Sequence, residues 1–271
     1  MLIKRQEYFF VPLFLLLVTL TATNFIPLVT AVLVIIFAMA LSFYQYFWQH
    51  NKPIGFYLCW LVAIILGVAV GVYRPSDFNY PLVFSVNQFY EGGLPFSLYV
   101  NIAKLFAGYI IICLLFTSKS QSNIYIKSRV QQYLLAVGLG LLILIVAYHF
   151  LDFRFHLKAL NYILLFAAVN LLVTCVTEEA FMRLLLQAEL QKLIARKFNN
   201  RYAQEIIPLL LATLVFVLTH FTHDAPTMWV FGLAGFIYSV VYCLTKNLWA
   251  CIVVHFTVNI MHFAFLTYPL A

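Results

Sequence analysis

Apolar runs of bilayer length follow one another along almost the whole of this chain, at about 8–23, 26–48, 55–73, 97–117, 130–150, 158–186, 206–221, 227–244 and 248–268. A hydrocarbon core about 30 Å thick is crossed by about 20 apolar residues of helix. In lipid, only helices and closed barrels satisfy their own backbone polar groups. A soluble core has no need of so many such runs. The composition agrees: 65% of residues are hydrophobic and 9% charged, against about 25% charged in an ordinary soluble domain. The pattern predicts an all-α, polytopic integral membrane bundle of about eight or nine transmembrane helices. The first two runs are close enough to form a hairpin. The longest connections are 74–96, rich in aromatics and holding Gly92, Gly93 and Pro95, and the strongly basic 187–205. No repeat, low-complexity tract or soluble domain interrupts the series.

Charge placement predicts orientation, because cytoplasmic loops carry an excess of Lys and Arg. With the N-terminus inside, inner loops hold Lys4, Arg5, Lys52, Lys119, Lys127, Arg129, Lys192, Arg196, Lys197, Arg201 and Lys246. Outer loops and their edges hold only Arg74, Arg154 and Lys158, while Lys104 and Arg183 fall inside runs. A cytoplasmic N-terminus follows, in a multi-pass protein of the bacterial cytoplasmic membrane. The net charge of +7 is explained by these loops, so membrane lipids are the expected partner and nucleic acid is not. Lys4 and Arg5 resemble the start of a signal peptide. Apolar sequence resumes after Asn24 and Pro27, however, which predicts an uncleaved first helix. The cysteines Cys59, Cys113, Cys175, Cys243 and Cys251 all lie in apolar runs with no CxxC pair. They read as packing residues rather than a disulfide framework.

Against that background "VTEEAFMRLLL", residues 176–186, is anomalous. A charged side chain at the bilayer centre costs about 2.5–3.5 kcal/mol on insertion scales, and this stretch holds three. Glu179 and Arg183 are i and i+4 with the acid first, the favourable order for an ion pair on a helix. Glu178 lies about 100° round the helix and is left to face another partner. Adjacent carboxylates in a low dielectric are the arrangement from which a general base for neutral pH is made. Structural charges that only pin helices together are the alternative reading.

Later runs add polar groups at helical spacing. Phe216 and His220 in "FVLTH" are i and i+4, as are His255 and Asn259 in "HFTVN". Imidazole and amide N–H groups are the donors that an oxyanion hole requires. His262 follows His255 by seven residues, almost on the same face, and reads as packing. His223 and Asp224 read as solvated groups at the outer boundary, and Lys104 as a side chain reaching the interface.

These three motifs, Glu178-Glu179-x-x-x-Arg183, Phe216-x-x-x-His220 and His255-x-x-x-Asn259, resemble those of the CAAX protease and bacteriocin-processing family of membrane proteases, which includes the Ras-converting CAAX endopeptidase. The likeness covers about 160–265. It departs at Met182 and Leu184, where many members have an aromatic and a glycine, and Phe181 stands one place earlier. The resemblance implies a catalytic helical core at 158–271, preceded by transmembrane helices without a catalytic motif at 1–157. It implies an intramembrane endopeptidase acting on a membrane-associated protein or peptide, without a cofactor. Glu178, assisted by His220, would activate water, and His255 and Asn259 would stabilise the tetrahedral oxyanion. Glu179, Arg183 and Phe216 would support them.

Other readings start from the same residues. A zinc metalloprotease would use Glu178, His220 and His255 as a His₂Glu set, but no HExxH motif is present. Transporters also place Glu, His and Arg in the membrane, although this chain has no internal repeat. A non-catalytic immunity or scaffold protein would not need Glu178. Depth raises one conflict. At 1.5 Å per residue Glu178 and His255 lie about 12 and 10 Å from the inner ends of their runs, and His220 about 21 Å, so straight helices of these bounds would not meet. Pro208 is placed to delay or bend the start of the seventh run.

Overall fold

The computed structural model describes residues 2–116, 124–220 and 224–269, with side chains from Phe10 onward. Lys119 and His223 therefore lie outside the described residues, as do the side chains of Lys4 and Arg5. Helices occupy every apolar run: α1 Leu2–Ala22, α2 Leu28–Gln49, α3 Pro53–Val72, α4 Ile102–Leu115, α5 Arg129–Phe150, α6 Leu160–Ala195, α7 Arg201–Leu218, α8 Ala225–Thr245 and α9 Leu248–Phe265. Among the described residues, seven are long and apolar enough to cross a membrane, while α1 and α4 contribute shorter apolar stretches, Phe10–Ala22 and Ile102–Leu115. The all-α polytopic membrane bundle is borne out.

Three boundaries differ from expectation. The run at 97–117 does not begin as helix, because Phe96–Tyr99 (β2) pairs with Leu82–Val86 (β1) in a small hairpin. Ser85 and Ser97 meet across it at 2.8 Å and the rings of Phe84 and Phe96 lie 5.8 Å apart. The connection expected at 187–205 is helical through Ala195. The reason is that 189–195 is amphipathic: Leu193 and Glu189 are buried, and Lys192 pairs with Glu189 at 2.7 Å. Helix α7 starts at Arg201 because Asn200 accepts from the Tyr202 and Ala203 amides, an N-cap that satisfies otherwise orphaned donors. Pro208 is thus inside α7 rather than at its start.

The chain divides into two compact units, Met1–Val83 with Tyr99–Leu114, and Phe84–Leu98 with Leu115–Ala271. In the first, α2 packs on α3 through buried Phe37, Leu41 and Phe56. Gly55 is required there, since a Cβ would come within 2.6 Å of the Phe47 ring. Asn101 starts α4 by accepting from the Lys104 amide at 2.9 Å and donating to Gly71 O at 3.2 Å.

The second unit packs α9 against α5 and α6, and α8 against α7, α9 and α5. Gly140 of α5 faces Thr257 of α9 so closely that a Cβ would lie 3.0 Å from it, the close approach that small residues give membrane helices. Asn247 caps α9 through the Trp249 amide and donates to Gln132 Oε1 at 2.7 Å, tying the α8–α9 turn to α5. Lys158 is buried, not an outer-edge charge in water. It donates to the carbonyl oxygens of His156 and Leu266 and lies 5.6 Å from the centre of the Phe89 ring.

Candidate active site

The second unit holds a partly open cavity of about 400 Å³, and its chemistry starts on α6. This helix is not α-helical throughout. Asn170–Cys175 and Ala180–Ala188 are π turns flanking Val176–Glu179. Bonding from i to i+5 widens the turn, and π segments concentrate at functional sites. Asn170, Thr174 and Glu178, at four-residue steps, all line the cavity.

The two acids separate as their spacing requires. Glu179 and Arg183 are fully buried and joined at 2.8 Å between Oε2 and Nε. Arg183 Nη1 also donates to Gln187 Oε1 at 2.6 Å and to Ser239 Oγ at 2.5 Å. Gln187 in turn donates to Ser239 O at 3.1 Å, and Ser239 to Gly235 O at 2.8 Å. A buried ion pair needs further hydrogen bonds to its remaining groups; Gln187 of α6 and Ser239 of α8 supply them at Nη1, while Nη2 has no hydrogen-bond partner among the described residues. Glu178 instead faces the cavity.

His255 of α9 stands between the acids. Its Nδ1 is 2.9 Å from Glu179 Oε1 and its Nε2 is 3.9 Å from Glu178 Oε2. A carboxylate ionised by its Arg partner can only accept, so Nδ1 carries the hydrogen and Nε2 is turned toward Glu178. The Tyr238 ring stacks on His255 with centres 4.9 Å apart, holding its plane.

His220 is held differently. Its Nδ1 donates to Phe216 O at 2.8 Å, one helical turn back. A carbonyl can only accept, so neutral His220 keeps an acceptor lone pair on Nε2. Its ring lies between those of Phe216, at 4.6 Å, and Phe231, at 4.4 Å. Phe216 also approaches the His255 ring at 6.3 Å, edge to face. Asn259 lines the cavity one turn beyond His255, and its Nδ2 donates weakly to Cys175 Sγ at 3.9 Å.

Glu178, Phe216, His220, His255 and Asn259 therefore line one cavity, while Glu179 and Arg183 lie behind it. The conflict of depth came from the helix bounds. Counted from Ala195 and Arg201, Glu178 and His220 lie about 25 and 28 Å along their helices, nearly level. Lys246 of the α8–α9 turn donates to Gln191 Oε1 of α6 at 3.2 Å, which ties that turn to α6 one helical turn before Ala195. Asp224 caps α8 through the Thr227 amide. His262 lines the cavity as well, with Nε2 3.2 Å from Thr267 O and its ring 4.5 Å from that of Phe153. Among the described residues, no three His, Cys, Asp or Glu side chains are grouped to hold a metal ion.

Sequence reasoning missed Asn170, Thr174, Gln187, Tyr238 and Ser239. The signal was available for three of them: Asn170 and Thr174 precede Glu178 in steps of four, and Gln187 follows Arg183 by four. Tyr238 and Ser239 reach the site only through the packing of α8.

Residues 160–261 match the family model for the type II CAAX prenyl endopeptidase, Rce1-like. The resemblance carried by the three motifs is borne out over that segment, which contains every residue of the arrangement around Glu178 and His255. The match supports an endopeptidase of the membrane, with a membrane-associated protein or peptide as its class of substrate. No curated protein and no solved structure matches the chain.

Proposed function

We propose that this cavity hydrolyses a peptide bond by glutamate-based activation of water, in a segment that matches the CAAX prenyl endopeptidase family. The observation that carries the reading is the division of labour between the adjacent acids: Glu179 is paired with Arg183 and His255 behind the cavity, whereas Glu178 lines the cavity itself, its Oε2 3.9 Å from His255 Nε2. Glu178 takes the proton from a water, and the Nε2 lone pair of His220 accepts from the same water and orients it. Attack on the scissile carbonyl places negative charge on its oxygen. The Asn259 amide and a protonated His255, held by Glu179 on Nδ1, donate to that oxygen in a site where water cannot screen them. The proton taken by Glu178 then passes to the leaving amine. Glu179 and Arg183 set the position of α6 and of His255, and Phe216 spaces the two imidazoles. The catalytic core is residues 158–271, in the bacterial cytoplasmic membrane with the N-terminus inside.

Comparing the membrane peptidomes of cells expressing the wild type and Glu178→Gln tests the activity without choosing a substrate beforehand. A new terminus in at least one precursor, present only with the wild type, is expected. Identical peptidomes in both strains would remove the proposal.

A further inference from the structure

The catalytic scheme leaves Asn170 without a task. This residue, on the first π turn of α6, is 6% exposed and lines the cavity. Its Oδ1 accepts from the Cys175 thiol at 3.1 Å, and its Nδ2 makes no hydrogen bond among the described residues. An amide donor with no protein partner on a cavity wall is available to a ligand that can accept from it. The thiol fixes which end of the amide is engaged and leaves the NH₂ group for the cavity. Cys175 also accepts from Asn259 at 3.9 Å, so one sulfur links two cavity amides.

We propose that Asn170 is a further substrate-binding residue, whose NH₂ donates to a backbone carbonyl of the bound peptide, with Cys175 as the residue that positions it. The proposal rests on the endopeptidase reading. Geometry sets which carbonyl is meant. Asn170 and Glu178 are eight residues apart, about 12 Å of helix at 1.5 Å per residue and somewhat less through π turns. An extended peptide rises about 3.3 Å per residue. Asn170 therefore meets a carbonyl about three residues from the bond that is cut, too far to act on the reacting atoms and well placed to hold the register of the peptide. Thr174 lines the cavity midway along the same stripe.

The test uses the full-length protein in lipid nanodiscs and a fluorogenic, farnesylated peptide ending in a CAAX-type sequence. Asn170→Ala should raise KM about tenfold, the loss of roughly one hydrogen bond, with kcat changed less than about threefold, the pattern of binding lost equally in ground and transition states. Asn170→Leu keeps the volume and removes the amide without adding a charge, so it should be as impaired as Asn170→Ala. Melting temperatures should match the wild type for both variants. In the inactive Glu178→Gln background, the dissociation constant for the uncleaved peptide should rise by the same factor when Asn170→Ala is added. Asn170→Leu binding and cutting like the wild type would overturn the proposal. So would an unchanged KM in Asn170→Ala. Failure of the underlying reading looks different: Glu178→Gln remains active, or the wild type leaves the peptide intact.

Discussion

At the scale of single residues, the adjacent acids have opposite expected costs. Glu179→Gln leaves an acceptor for His255 Nδ1 but strands Arg183 as a buried charge, and breaking a buried pair from one side costs about 3–5 kcal/mol. Its melting temperature should fall well below that of the wild type, and adding Arg183→Gln should recover part of the loss. Thermal denaturation of the single and double variants in detergent checks both points. Equal melting temperatures for Glu179→Gln and the wild type would mean that the pair does not hold α6. This interaction was legible in the sequence because it is local: i and i+4 on a helix are neighbours whatever the fold. The bridging of both acids by His255 was not, since Glu179 and His255 lie 76 residues apart in the chain. The histidine's tautomer, and with it the direction in which Nε2 points, depends on that contact.

At the scale of elements, the closest glycine constraint at the site is between α7 and α8. A Cβ at Gly235 would come within 2.8 Å of the Phe216 ring, and that ring flanks both His220 and His255. Gly235→Ala should therefore destabilise by about 1–3 kcal/mol, as overpacking does, and lower cleavage more than a substitution at Gly138, where a Cβ meets nothing within 4 Å. Melting temperatures and cleavage rates of the two glycine variants measure this directly. The existence of the helices was legible because runs of bilayer length admit few alternatives. Their ends were not. Residues 189–195 are polar enough to read as a loop, and burial of Leu193 and Glu189 with the Glu189–Lys192 pair keeps them helical, although Asn200 offered a cap signal at the start of α7. The hairpin at 82–86 and 96–99 was too short to stand out among aromatics. The π turns of α6 leave no mark in composition at all.

At the scale of the whole molecule, orientation and chemistry are separable claims. The asymmetry of Lys and Arg predicts that 192–201 is cytoplasmic and that the 222–226 connection is on the opposite side. With the native cysteines replaced, single cysteines at Asn199 and Thr222 (the latter outside the described residues) should label with an impermeant reagent from inside and outside respectively. Labelling at Asn199 in intact cells would reverse the assignment. The chemistry should survive chelation, because two histidines, two acids and an amide supply both base and donors. Purified protein treated with a chelator should keep its rate. Loss of turnover that zinc restores would transfer Glu178, His220 and His255 to a metal site instead. The central claim, that this bundle brings Glu178 to a water as its base, is met most directly by single-turnover cleavage with purified Glu178→Gln in nanodiscs. The amide keeps size and shape and removes the basic oxygen, so the rate should fall by about 10²–10⁴-fold while the melting temperature stays at or above the wild-type value. Cleavage by Glu178→Gln at the wild-type rate would contradict it.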